Sequence, residues 1–108
     1  MSDEKELQGM AAIVTGSTGN IGRAISLTLA KAGASVTINA RTSVNKANQV
    51  VKEIQESGGR AIACMGDVTS EKQVQNIIDT TIGEFGRLDI LVNNVGPPSS
   101  GPVTEISY

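Results

Sequence analysis

The run Thr15-Gly16-Ser17-Thr18-Gly19-Asn20-Ile21-Gly22 holds the residues of this chain best suited to bind a phosphate. It follows a short apolar run, residues 10–14, and opens a segment in which apolar residues recur at helical spacing. Glycine lets the backbone turn tightly and lets a pyrophosphate approach it closely. The free N–H groups and positive dipole end of a following helix then favour the anion. The alternative reading of the turn, taken alone, is a tight strand-to-helix connection with no ligand. Other chemistries have little to work with. The chain has no histidine and one cysteine, Cys64, which excludes histidine-based triads and relays, most zinc sites and any intrachain disulfide. Cys64 reads as a small apolar filler of a strand.

The elements that must position this turn alternate strictly. Residues 10–15 are nearly all apolar, as in a strand covered on both faces. Ile21, Ala24, Ile25, Thr28, Leu29 and Ala32 then predict a helix over 20–32, with Gly33 as its left-handed C-terminal cap. Residues 35–40 are β-branched and short, hence a second strand. Ala47, Val50, Val51 and Ile54 form the stripe of a second helix, which ends at Ser57-Gly58-Gly59. Residues 61–65 form a third strand. Ser70 with Gln73 predicts a capping box for a third helix, whose stripe is Val74, Ile77, Ile78, Ile82 and Phe85 and which Gly86 stops. Residues 88–92 form a fourth strand, and 96–102 have loop chemistry. The pattern βαβαβαβ specifies an α/β fold with a parallel sheet and right-handed crossovers. With the first strand central, the order is 3-2-1-4, the first two helices lie on one face and the third on the other, which is a partial, doubly wound Rossmann fold.

Composition narrows the function classes. The 108 residues suffice for one small domain, 1–108, which buries roughly two-thirds of its unfolded surface. The formal charge is −2 and the basic residues form no stripe, so nucleic-acid binding has no electrostatic support. The only aromatic residues are Phe85 and Tyr108, too few for base stacking. Residues 1–8 read as a polar, solvated lead-in without a signal-peptide core. With no run of 18 apolar residues and one cysteine, a soluble, cytoplasmic protein is expected. Lys46, Lys52, Glu53 and Glu56 read as a solvated helix face.

Several motifs now occur in a fixed order: TGSTGNIG after the first strand, Asp67-Val68 after the third, and Phe85-Gly86-Arg87-Leu88-Asp89-Ile90-Leu91-Val92 leading into Asn93-Asn94-Val95-Gly96. In this the chain resembles the short-chain dehydrogenases/reductases, in their short single-domain branch and over essentially the whole chain from about residue 8. Two positions depart from the family pattern. The family turn is usually TGxxxGxG, whereas Asn20 stands here at the glycine position, and Gly16, Gly19 and Gly22 have the spacing of the longer, sugar-nucleotide branch. Asn tolerates a left-handed conformation, so the turn is expected to survive. Val95 stands where the family usually carries alanine, a mild packing change.

The resemblance implies roles. Residues Gly16, Ser17, Thr18, Gly19, Asn20, Ile21 and Gly22 would bind the dinucleotide: Gly16 and Gly22 allow the turn and the close approach of the helix, and Gly19 and Asn20 line the pyrophosphate. An NAD enzyme carries Asp or Glu at the end of the second strand to bond the ribose hydroxyls. Ala40 stands there, and Arg41 beside it offers a planar fork suited to a 2′-phosphate, so NADP(H) is expected over NAD(H). A solvated surface arginine is the alternative. Asp67 and Val68 would meet the adenine; a turn residue ahead of the third helix is the alternative for Asp67. Asn93 and Gly96 would brace the fourth strand beside the nicotinamide ribose, a role compatible with simply bracing the sheet.

The family's hydride transfer also uses a serine, a tyrosine and a lysine, which the resemblance places beyond the stretch matched here. Tyr108 is the only tyrosine and does not stand in the catalytic position. The expectation is therefore the N-terminal, cofactor-binding half of a reductase of a carbonyl substrate such as a 3-oxoacyl thioester, with no catalytic residue of its own and inactive by itself. The competing readings are a non-catalytic dinucleotide-binding half-domain and a truncated product. The fourth strand, 88–92, would be an open apolar edge, inviting self-association.

Overall fold

The computed structural model describes residues 6–94 and 106–107, so the expected loop at 96–102, together with Val95, Gly96 and Tyr108, lies outside the described residues. The elements are β1 (Ala11–Val14), α1 (Asn20–Lys31), β2 (Ser35–Ile38), α2 (Val44–Glu56), β3 (Arg60–Ala63), α3 (Glu71–Phe85), β4 (Ile90–Val92) and β5 (Ile106–Ser107). The sheet runs β3-β2-β1-β4-β5. Its first four strands are parallel, in the expected order 3-2-1-4. The edge of β4 is not open, as the sequence had suggested: β5 pairs with it antiparallel, Leu91 opposite Ser107 and Val92 opposite Ile106. Two residues of the stretch on which self-association was expected to rest, Leu91 and Val92, are thus paired within the chain.

Register explains the two-sided burial. Ile13 of β1 pairs with Thr37 of β2 and Leu91 of β4, and paired residues of parallel strands share a face. Ile13, Cys64 and Ile77 form one cluster, with Val68, Ile78, Leu88 and Leu91 at its border. The alternate residues Ala12, Val14, Val36, Ile38 and Ala61 pack on the opposite face with Ala30 of α1 and Ala47, Val50 and Ile54 of α2. Helices α1 and α2 therefore cover one face and α3 the other, as the strand pattern implied. Cys64 is buried just past β3, a filler as expected. Leu7 is half-buried rather than solvated; it packs against the main cluster, and its N–H donates to the Ala32 carbonyl at 2.8 Å.

Two helical stripes sit differently from the apolar spacing. The buried positions of α1 are Gly22, Ser26 and Ala30, while Ile21 is 46% exposed. Small residues at i, i+4 and i+8 let α1 lie close to the sheet, so Ile25 and Leu29 flank the contact instead of centring it. In α3, Thr81 is fully buried and Ile82 is exposed. The Thr81 hydroxyl lies 2.8 Å from that of Thr37 across the α3–sheet contact and donates to the Ile77 carbonyl. A polar pair occupies a core position that an apolar scan assigns to its neighbour.

The C-terminal caps follow the sequence, and the capping box of α3 forms only in part. Gly33 and Gly86 follow α1 and α3 with φ of +104° and +82°. The Ser70 hydroxyl accepts from the Gln73 N–H at 3.3 Å, but the capping box does not close: the Gln73 side chain accepts from the Asp67 N–H at 2.6 Å instead of from Ser70. The Asp89 carboxylate accepts from the Ala11 N–H at 2.9 Å, which fixes the start of β1 against the approach to β4. Arg87 holds that carboxylate with two bonds of 2.7 Å.

Candidate functional site

The glycine-rich turn leaves the carboxyl end of β1 and enters α1. Gly16 has φ of +62°, a left-handed conformation that disfavours a side chain. Gly22 is required for a different reason. A Cβ there would lie 2.8 Å from the Ser17 Cα and would overlap the Gly16 carbonyl oxygen, both of them backbone. Gly19 is the N-cap of α1, where no side chain caps the helix and no acid stands in the first turn. The helix therefore presents an uncapped, acid-free N-terminus toward the turn, the arrangement that favours a bound anion. Asn20 is the first residue of α1, and no described residue other than glycine has positive φ. The left-handed tolerance invoked for Asn20 is thus not used; helical geometry begins at this residue and asks nothing special of it.

Other residues of the turn divide by direction. Thr18 lines the neighbouring cleft and Ile21 is exposed. Ser17 is fully buried: its N–H donates to the Asn39 carbonyl at 3.0 Å and its hydroxyl donates to the Val14 carbonyl. Ser17 was expected to face the ligand, but its side chain serves the inside of the turn. Thr15, the first residue of the run but given no role of its own in sequence, ties the turn to the end of β4. Its hydroxyl lies 3.3 Å from the Val92 carbonyl and 3.2 Å from Asn93 Oδ1, and accepts from the Asn94 N–H at 3.0 Å. Asn93 is thereby brought beside the turn. The Asn94 amide lies 3.5 Å from the Gly16 carbonyl, and its Oδ1 is buried with no hydrogen-bond partner.

A cleft of about 280 Å³ opens at the carboxyl ends of β1, β2 and β3, lined by Gly16, Thr18, Ala40, Arg41, Asp67 and Val68 among others. The structure therefore brings Arg41, Asp67 and Val68 together with the turn. Arg41 is 78% exposed in its side chain and pairs with Asp67, Nε to Oδ2, at 3.6 Å. Asp67 is held on all sides. Its Oδ1 accepts from the Thr69 hydroxyl at 2.7 Å and from the Thr69 N–H at 2.9 Å, and its N–H reaches Gln73. These two Thr69 bonds, the hydroxyl first, hold its carboxyl below the usual carboxylate range, with Arg41 adding to the effect. Asp67 is a turn residue ahead of α3 and also a wall of the cleft.

Asn39, which the sequence shows only as one more residue of the second strand, is 1% exposed. Its backbone meets the turn, and its side-chain amide donates to the carbonyls of Cys64 at 3.0 Å and Gly66 at 3.2 Å. The available signal was an amide side chain in a strand whose other polar residues, Ser35 and Thr37, carry only hydroxyls. A second hollow of about 240 Å³ lies at the amino ends of the strands, among Gly9, Arg60 and Phe85, remote from the turn. No helix among the described residues is long and apolar enough to cross a membrane.

Comparison with known proteins agrees with this geometry. The family model described as short chain dehydrogenase matches residues 10–108. The 7alpha-hydroxysteroid dehydrogenase of Escherichia coli K12 is 46% identical over 95 residues, covering 88% of this chain and 37% of that protein. A probable tetrahydroxynaphthalene reductase of Zymoseptoria tritici is 41% identical over 105 residues, covering 97% of this chain and 39% of that protein. A solved 7alpha-hydroxysteroid dehydrogenase, complexed with NADH and 7-oxo glycochenodeoxycholic acid, superposes with a TM-score of 0.82 at 45% identity, covering 90% of this chain and 38% of that one. The chain thus spans about two fifths of the length of the relatives it matches. With its βαβ turn, its parallel sheet and a family match over residues 10–108, the chain belongs to the short-chain dehydrogenase family.

Proposed function

We propose that this chain, read as one domain over 1–108, forms the cofactor-binding portion of an NADP(H)-dependent short-chain oxidoreductase that acts on a carbonyl or alcohol, with a 3-oxoacyl thioester as one candidate substrate. The cofactor would supply hydride to, or take it from, the substrate carbon. The residues present suit its phosphate and adenosine ends. Gly16, Gly19 and the uncapped α1 N-terminus would hold the pyrophosphate, Gly22 lets the helix approach, and Asp67 and Val68, which line the cleft, would meet the adenine. Asn93, with Gly96 beyond the described residues, would brace the nicotinamide ribose side. A cytoplasmic location goes with this reading.

The observation that carries the NADP(H) preference is the end of β2. Buried Ala40 stands where a ribose-binding carboxylate would repel a 2′-phosphate, and the exposed Arg41 guanidinium borders the same cleft. A charge-assisted bond of this kind contributes about 1.5–3 kcal/mol. That corresponds to roughly 10- to 100-fold in affinity. The test is titration with NADPH and NADH by cofactor fluorescence, repeated with Arg41→Ala. Preference for NADPH that collapses in the variant is expected; equal affinity of the parent chain for both cofactors overturns the preference. The serine, tyrosine and lysine that the family resemblance implies are not among these 108 residues. A polypeptide of these residues is therefore expected to oxidise no NADPH with a ketone, and measurable turnover would overturn that reading.

A further inference from the structure

We infer that Asn39 is a positioning residue that sets the width of the adenosine cleft, an inference that rests on reading the cleft as a cofactor site. The cleft has two walls of different origin. One is the glycine turn after β1. The other is the loop from β3 to α3, residues 64–70, which carries Asp67 and Val68.

Asn39 sits between these walls and bonds both. On the turn side its N–H donates to the Val14 carbonyl at 3.0 Å and lies 3.2 Å from the Ser17 hydroxyl, while its carbonyl accepts from the Ser17 N–H at 3.0 Å. On the loop side its Nδ2 donates to two carbonyls, those of Cys64 and Gly66, two residues apart. Two carbonyl acceptors fix the orientation of the amide, since only its nitrogen donates. Residue 40 extends the link, its carbonyl accepting from the Gly66 N–H at 3.0 Å.

Gly66 immediately precedes Asp67, and a Cβ at Gly66 would stand 3.0 Å from Ile77 of α3. The loop is therefore pressed between α3 and the Asn39 amide, and the place of Asp67 relative to Gly16 depends on both. Few side chains meet this requirement: the residue must be short, buried and a double donor. Aspartate has nearly the same shape but turns an acceptor toward two buried carbonyls, a repulsive arrangement. Serine is too short to span both.

This role differs from that of Arg41. Arg41 addresses a group that only NADP carries, whereas the cleft width affects every ligand with an adenosine. Asn39→Asp and Asn39→Ser should weaken 5′-AMP and 2′,5′-ADP by the same factor, about tenfold or more for the aspartate. Their affinity ratio should stay that of the parent chain, while Arg41→Ala changes the ratio.

The experiment is calorimetric titration of the 108-residue chain and these variants with 5′-AMP and 2′,5′-ADP, together with amide hydrogen exchange. Equal weakening of both ligands, with faster exchange at the Gly66 and Asp67 amides and unchanged exchange at Ile13 and Val36, supports the inference. Exchange that rises by one factor throughout the sheet marks a global stability effect and overturns it, as does unchanged affinity with an unchanged loop. A parent chain that binds neither nucleotide overturns the cofactor reading; the exchange pattern then decides whether Asn39 positions the loop.

Discussion

Alanine at Gly22 and at Gly83 is the same substitution in two helices, with opposite outcomes expected. At Gly83, in α3, an added Cβ meets nothing within 4 Å. Glycine in a helix interior costs about 0.8–1 kcal/mol relative to alanine, so Gly83→Ala should stabilise by about 0.5–1 kcal/mol so near the helix end. At Gly22 the same propensity gain is opposed by the Gly16 carbonyl oxygen, the Gly16 carbonyl carbon at 2.9 Å and the Ser17 Cα at 2.8 Å. None of these is a side chain that can rotate away, so α1 must lift from the turn. Overpacking of a tight site costs about 1–3 kcal/mol, and a backbone obstacle puts this case at or above the top of that range. The net expectation is a loss of about 2 kcal/mol, a fall in Tm of roughly 10 °C for a domain of this size. Thermal unfolding followed by circular dichroism measures both variants. Titration with 2′,5′-ADP should show lost binding for Gly22→Ala and unchanged binding for Gly83→Ala. A Gly22→Ala protein as stable as the Gly83→Ala protein would refute the close approach of α1 to the turn.

The Thr37–Thr81 pair should respond asymmetrically. Thr37→Val leaves the Thr81 hydroxyl bonded to the Ile77 carbonyl and should cost about 0.5–1.5 kcal/mol. Thr81→Val strands the fully buried Thr37 hydroxyl and should cost more, about 1–3 kcal/mol, read from urea unfolding midpoints; equal costs would contradict the assigned donor order. Acid should destabilise the fold through Asp89 and Asp67. Arg87, then the Ala11 N–H, holds Asp89 low, and Thr69, then Arg41, holds Asp67 low. A depressed folded pKa gives stability that is complete above the unfolded value of about 3.9 and is lost as pH falls through the folded value. Melting curves between about pH 5 and pH 2.5 should therefore show a decline that Asp89→Asn flattens; an unchanged slope would remove Asp89 from that account.

The parallel order 3-2-1-4 was legible because β1 is apolar without a break and each helix carries a periodic stripe, so strand and helix alternate with one plausible handedness. Gly33 and Gly86 were legible because each stands where a helix must turn out through positive φ. The stripe of α1 was misplaced by one position, and that of α3 was right at Ile77 but took exposed Ile82 for buried Thr81. Apolar spacing gives no weight to Gly22, Ser26 or Thr81, although small size in one case and a hydroxyl partner in the other make them the buried residues. The edge of β4 was misjudged because two residues, Ile106 and Ser107, are too short a signal to be read as a strand.

By itself the sequence determined the alternation of elements, the glycine-rich turn between β1 and α1 and the absence of a carboxylate after the second strand, because these depend on residues near one another in the chain. Only the tertiary structure decided that Ser17 faces inward and that Thr15 joins the turn to β4. It alone placed Asn39 between Ser17 and Gly66. Those contacts join residues up to 79 positions apart, as between Thr15 and Asn94. Their partners are backbone carbonyls and amides that every residue carries, so no local pattern of side chains announces them, and they exist only once the strands are in register.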